Sequence, residues 1–422
     1  MKTLALVIFL LTYILLLGLQ KYRHIIALTS GAVFVILGIL PVGKVFSSID
    51  WNVIMMIVGT MGVVNLFIDS KMPSLLADKI IERTPNVKWS TVFLALFAGI
   101  ISAFVDNVAT VLMVAPVAVT IAKKLKISPV PSVICIAISS NLQGAATLVG
   151  DTTSIILGGF ADMNFLDFFV FRGKPGIFWV VEIGALVSAI VLLYLFRNEK
   201  QPIKSMDKTE VKDFFPTILL VGIIVLLITA SFIENKPAVT NGLICMVLFA
   251  IGLIRELVKI KDFNIVSNAF KNIDYTTILL LTGLFVVIGA ITEAGLVQEI
   301  GKAFIKISGD NLFIIYTLIV WASVALSAII DNIPYVATML PVTAEIAGLL
   351  GIDPYILYFG LLVGATLGGN ITPIGASANI TGIGILRSEG YEVPVKTFMK
   401  YSVPFTLSAV MTGYILVWLI WS

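Results

Sequence analysis

The chain holds one histidine, His24, and two cysteines, Cys135 and Cys245, in 422 residues. A single imidazole excludes a His-rich metal site and a Ser-His-Asp triad. The cysteines lie far apart in apolar segments, outside any CxxC or Cys/His cluster, and read as buried free thiols. Charge is scarce as well. Asp, Glu, Lys and Arg make up 13% of the chain, against about 25% in soluble domains. The net charge is only +3 and the basic residues fall in short loops, so nucleic acid has no binding patch. No P-loop pattern is present to take ATP.

Hydrocarbon fills the space that charge leaves. The chain is 59% hydrophobic, and its mean hydropathy is +1.05. Runs long enough to span a bilayer recur from 3–19 to 401–421, and the class they predict is an all-α polytopic membrane protein. The run 3–19 is followed by Gln-Lys-Tyr-Arg-His and a second apolar run, without a small-x-small cleavage pattern, so it reads as a transmembrane helix. Four runs are too long or too broken for simple spans. Segments 91–122 and 311–350 are interrupted by Asp106-Asn107 and Asp331-Asn332, and 129–164 and 354–387 are broken by Gly and Thr. They predict two re-entrant hairpins and two broken helices beside about 10–11 transmembrane helices. Segments 72–86 and 295–307 are amphipathic and read as surface helices.

The chain is duplicated. A shift of 225 residues places Asp106-Asn107 on Asp331-Asn332, Pro116 on Pro341, Gly144 on Gly369, Thr147 on Thr372 and Gly150 on Gly375. From Phe104 to Gly159 no gap is needed, and 16 of 56 positions are identical. Apolar bias alone would not align Asp, Asn, Thr and the helix breakers together. The first repeat covers 1–196, a polar linker 197–213 and the second repeat 214–422.

The charges give an orientation. If the first helix starts outside and both hairpins turn back within the membrane, one side holds 21 of the 28 Lys and Arg residues. By the positive-inside rule that side is cytoplasmic. The linker is then cytoplasmic and both termini are outside. Asp50-Trp51 starts its helix outside and its mate Asp274-Tyr275 starts inside, so the repeats are inverted. Inverted repeats with broken helices meeting near the midplane mark secondary transporters.

The Asp-Asn pairs need a reason. Each residue can cap the helix that follows it, but an Asn or Ser would cap as well. An ionised Asp at membrane depth costs about 2.5–3.5 kcal/mol on insertion scales. Two at equivalent places point to a cation, a proton or a substrate. Candidate binding residues on the hairpins are Asp106, Asn107, Thr110, Asp331 and Asn332, with sodium a candidate at Asp106, Asn107, Asp331 and Asn332. The first break adds Asn141, Thr147, Gly150, Asp151, Thr152, Thr153 and Ser154, and the second adds Asn370, Thr372, Gly375, Ser377 and Asn379. Glycine permits unwound backbone there, whose carbonyls suit a cation and whose N–H groups suit an oxyanion or polyol. Asp151 has Ala376 as its mate, so its task is done once, as a proton-linked residue or as a cap on the second stub.

These residues resemble the ion transporter superfamily of arsenite permeases, melanosomal P protein, NhaD-type antiporters and divalent anion/sodium symporters. The likeness rests on "SAFVDNVATVLMVAPV" (Ser102 to Val117), "SSNLQGAATLVGDTTSIILG" (Ser139 to Gly158) and "LDFF" (Leu166 to Phe169), and is nearest to the P-protein and arsenite-permease branch. It implies a scaffold part and a moving part, often paired in a homodimer, with elevator-type alternating access. Relatives on the symporter side carry Ser-Asn-Thr at the hairpin tips, where this chain has Asp106-Asn107-Val108 and Asp331-Asn332-Ile333. The common Gly-Asp-Pro-Pro-Asn is here Gly150-Asp151-Thr152-Thr153-Ser154.

The expected function is ion-gradient-coupled transport in the inner membrane, with no cofactor beyond a sodium or proton coupling ion. With no intramembrane Lys or Arg evident to offset the tip carboxylates, an arsenite-like metalloid ranks with small inorganic or organic anions as the solute. A sodium/proton antiporter, a dicarboxylate or citrate/sodium symporter and a channel on the same fold are the alternatives. An intramembrane aspartyl protease would also use two buried Asp residues, but not within duplicated hairpins.

Overall fold

The computed structural model describes residues 1–202, 209–211, 213–260 and 273–422. The linker 197–213 therefore lies partly, and the segment 261–272 wholly, outside the described residues. The described chain is nearly all helix, with one two-stranded turn pairing Val170–Phe171 with Lys174–Pro175. Its first repeat contains α1 (Lys2–Gly18), α2 (Arg23–Ile36), α3 (Val42–Ser48), α4 (Trp51–Asp69) and α5 (Met72–Glu82). The first hairpin follows as α6 (Val87–Ser102) and α7 (Asn107–Leu125), then the broken pair α8 (Val130–Gly144) and α9 (Thr152–Phe160), and α10 (Ile177–Leu195). The second repeat opens with α11 (Phe215–Ser231), α12 (Thr240–Ile260), α13 (Tyr275–Glu293) and α14 (Leu296–Ser308). Its hairpin is α15 (Leu312–Ser327) and α16 (Asn332–Leu350). The second broken element is α17 (Tyr355–Leu362), a wide turn Val363–Leu367, a tight turn Gly369–Ile371 and α18 (Ser377–Ser388), followed by α19 (Val395–Trp421).

Seven of these helices are long and apolar enough to cross a bilayer alone. Two further pairs, α1 with α2 and α14 with α15, pass together but bend by 114° and 115°. Shorter apolar helices include α6, α8 and α11.

The duplication reaches down to helix ends. Asn86 caps α6 through Trp89 N at 3.2 Å, and Asn311, 225 residues on, caps α15 through Ile314 N at 3.2 Å. Asp50 and Asp274 cap α4 and α13 the same way. The residues ending α7 and α16, Lys126 and Gly351, are both left-handed, with φ 56° and 64°. Glycine suits that conformation, and Lys126 adopts it at some cost.

The repeats exchange partners. α4 packs on α12 of the other half, and its mate α13 packs on α2. A Cβ on Gly59 would lie 2.4 Å from Cys245 C, and one on Gly283 would lie 2.5 Å from Ala27 C. Glycine is what lets these backbones approach. Likewise α9 packs on α16 while α18 packs on α7. The hairpins and broken helices of the two halves thus form one body. The amphipathic segments are α5 and α14, and each packs on the second arm of its hairpin. Glu345 lies beneath α14, its Cγ 3.1 Å from where a Cβ on Gly301 would stand. Both cysteines are buried and free. Among the described linker residues, Glu199 and Gln201 carbonyls accept from the first turn of α6, and Thr209 donates to Asp78.

Candidate functional site

The hairpin tips are held by matched contacts. Thr147 Oγ1 donates to Ala103 O and Thr372 Oγ1 to Ala328 O. Gly150 lies so close to the first tip that a Cβ would stand 2.5 Å from Ser102 O, 2.6 Å from Ala103 O and 2.6 Å from Gly144 O. For Gly375 the corresponding carbonyls are Gly369 O at 2.5 Å and Ser327 O at 2.7 Å. These four candidates therefore lock break to tip and line neither of the two cavities beside the tips.

The two broken helices tie each other. Asn141 Nδ2 donates to Thr366 O at 2.7 Å, and Asn370 Nδ2 donates to Ile138 O at 2.8 Å. Thr153 Oγ1 and Thr366 Oγ1 are 2.9 Å apart. Within a bilayer every freed carbonyl needs a donor, and these side chains supply several. Asn379 Nδ2 donates to Gly369 O and Thr372 O. Thr110 is buried against Val105 O. Ser154 is buried with no partner for its hydroxyl among the described residues.

Six sequence-selected residues meet around one cavity of about 110 Å³: Asp106, Asn107, Asp151, Thr152, Asn332 and Ser377. Asp106 Oδ1 caps α7 by accepting from Val108 N at 3.0 Å and Ala109 N at 3.1 Å. No donor among the described residues reaches its other oxygen. Asp151 is 3% exposed, accepting from Thr153 Oγ1 at 2.7 Å and Asn107 Nδ2 at 3.4 Å. Asn107 Nδ2 also donates to Asn141 Oδ1 at 3.1 Å. Asn332 is 3% exposed, and its amide nitrogen has no partner among the described residues. Among the described residues no Lys or Arg lines this cavity. Among the described residues no three acidic, His or Cys side chains converge tightly enough for a preformed metal site.

Asp331 faces a second cavity, of about 410 Å³, which shares Val108, Asp274 and Ser377 with the first. Here the structure corrects the sequence reading. Asp331 is not left without a cation: Arg23 Nη1 donates to its Oδ2, with the two side chains 18% and 15% exposed. Arg23 stands in the first turn of α2, after a run that reads from sequence as an ordinary charged loop. A cation at a helix N-terminus opposes the helix dipole, and that was the available signal. Asp274, Thr277 and Asn65 were also missed as cavity residues. For Asp274, its match to Asp50 marked a helix start and nothing more.

The sequence profile of a family described as citrate transporter, CitMHS, matches residues 6–364. A 46 kDa membrane protein of Mycobacterium leprae is 29% identical over 434 residues, covering 99% of each chain. The P protein of Sus scrofa is 25% identical, over 89% of this chain and 54% of its own length. Among solved structures, the Alcanivorax borkumensis YdaH transporter aligns over 95% of this chain and 97% of its own with a TM-score of 0.60 at 14% identity, a likeness of fold. The Neisseria gonorrhoeae MtrF structure gives a TM-score of 0.54 over 95% of this chain and 94% of its own, also at 14% identity. With inverted repeats, paired hairpins and crossed broken helices already in place, the profile match over most of the chain makes this protein a member of the CitMHS citrate transporter family, a multi-pass membrane family of secondary transporters.

Proposed function

We propose that the protein couples an ion gradient to the transport of a small anion, with the coupling ion in the smaller cavity and the solute in the larger. The carrying observation is the charge around the smaller cavity. Asp106, Asp151 and Asp274 line it, and among the described residues no basic one does. Like charges in so small a space call for sodium or a proton. Its volume of about 110 Å³ suits an ion, whereas the adjoining 410 Å³ falls in the range of metabolite sites.

The metalloid reading rested on the want of a cation near the tips. Arg23 removes that ground, and the family description favours the organic-anion branch, a small carboxylate. The hairpins and broken helices move as one body against α4 and α13, in elevator fashion, with the linker side cytoplasmic. A second reading, sodium/proton exchange, is favoured by the same carboxylates and needs no anion. Proteoliposomes of the purified chain, given an imposed sodium or proton gradient, separate the two. Gradient-driven citrate or succinate uptake supports anion transport, and sodium/proton exchange without it supports the second reading.

A further inference from the structure

The two hairpin tips are alike in sequence and unlike in charge. Asp331 meets Arg23, and Asp106, its repeat mate, meets no cation among the described residues. The packing shows where a second arginine would stand. α2 meets α13 through Ala27 on Gly283 and Gly31 on Val286, and α12 meets α4 through Cys245 on Gly59 and Phe249 on Gly62. The offset between those α2 and α12 positions is 218 in both cases (245 − 27 and 249 − 31), so the counterpart of Arg23 is residue 241. That residue is Asn241, buried and neutral. The duplication keeps a carboxylate at both tips and, among the described residues, a cation at one.

We propose that Arg23 recognises the anionic group of the solute, and that Asp331 occupies the guanidinium only while solute is absent. This rests on the anion reading above. Arg23 spends one donor, Nη1, on one oxygen of Asp331. Asp331's other oxygen caps α16 through Ile333 N at 3.1 Å. A guanidinium carries five donors in a fork that matches a carboxylate at two points. Arg23 lines the 410 Å³ cavity, whose wall carries further donors in Gln20, Lys21, Thr276 and Ser377. The remaining carboxylate there, Asp274, is engaged within its own helix by Thr277 N at 3.1 Å and Thr277 Oγ1 at 2.6 Å. The first turn of α2 has no side-chain cap, and its end of the helix dipole favours an anion. Arginine and helix terminus together make a place for a carboxylate, and Asp331 is the protein's own occupant. The ion cavity adjoins across Val108, Asp274 and Ser377, so a bound cation offsets the charge that enters beside it. When an external carboxylate takes the fork, α16 is freed from α2, which ties solute occupancy to motion of the second tip.

The test is calorimetric titration of citrate into the full chain in lipid nanodiscs, with glycerol as the neutral control. The unaltered protein binds citrate and not glycerol. Arg23→Gln weakens citrate at least about tenfold and Arg23→Lys weakens it less, since a lysine keeps the charge and loses the fork. Asp331→Asn tightens citrate several-fold, because the internal competitor is gone. If Arg23 were only a structural tie, Asp331→Asn would weaken citrate as Arg23→Gln does, and that result overturns the assignment. Arg23→Gln binding citrate within about twofold of the unaltered protein overturns it too, and leaves anion transport standing. Should Arg23→Gln not fold, the Lys and Asn variants decide. An unaltered protein that binds no citrate overturns both this assignment and the carboxylate reading.

Discussion

Asn141 donates through Nδ2 to the carbonyl of Thr366 at 2.7 Å, and Thr366 is the residue that occupies the place of Asn141 in the second repeat (141 + 225). The broken helix of one half therefore closes on its own image, and Asn370 returns the tie to Ile138. Both side chains are fully buried. Asn141→Leu leaves the buried Thr366 carbonyl and the Asn107 amide each short of a partner. It costs about 1–3 kcal/mol, the price of a buried group left unpaired, read as a lower melting temperature of the detergent-solubilised protein.

Gly150 and Gly375 each stand where a methyl group would strike backbone carbonyls of the adjacent hairpin tip, Ser102 O at 2.5 Å and Ser327 O at 2.7 Å. Backbone oxygens held by the Thr147 and Thr372 locks cannot move aside. Gly150→Ala and Gly375→Ala each cost about 1–3 kcal/mol by overpacking, while Gly384→Ala, with nothing within 4 Å of its Cβ, leaves stability within about 0.5 kcal/mol. Thermal melts of the three variants side by side check the contrast.

Much of this core was legible in the sequence because its signals are local. Gly144, Gly150, Gly369 and Gly375 break helices wherever they fall, and Asp106 and Asp331 announce the caps that start α7 and α16. The internal shift of 225 residues doubled each signal. The division of labour among the candidates was not legible. Thr147 and Asp151 are both buried polar residues in one break, yet one locks a hairpin and the other lines a cavity. Only the path of the backbone separates them. Arg23 and Asp331 are 308 residues apart, and a charged residue after an apolar run is ordinarily a solvated loop. No periodicity could have joined them.

Asp213 sits at the end of the linker, where Arg255 grips it with Nη1 at 2.6 Å and Nη2 at 3.1 Å and Lys259 adds a contact at 2.8 Å. Those donors, Arg255 foremost, hold its carboxyl well below the usual carboxylate range. A lowered folded-state value contributes stability above the unfolded value, about pH 4, and loses it as pH falls through the folded one. Asp213→Asn is therefore less stable than the unaltered chain at neutral pH. The difference narrows only under strong acid. Because the cluster is partly solvated, its size stays near that of surface ion pairs, up to about 1 kcal/mol. Melting temperatures of both proteins across an acid pH series check the sign.

Asp106 and Asp151, two of the three acidic residues lining the small cavity, carry the account. The direct measurement is citrate uptake into proteoliposomes under an imposed sodium or proton gradient, for the unaltered chain, Asp106→Asn and Asp151→Asn. The asparagine variants keep the size of each side chain and the cap on α7, so both fold with unchanged melting temperature. The account predicts that uptake in each falls at least about a hundredfold, the range expected for a buried group that acts on the transported ion, and no longer responds to the gradient. Gradient-driven uptake at the unaltered rate in both variants would contradict it.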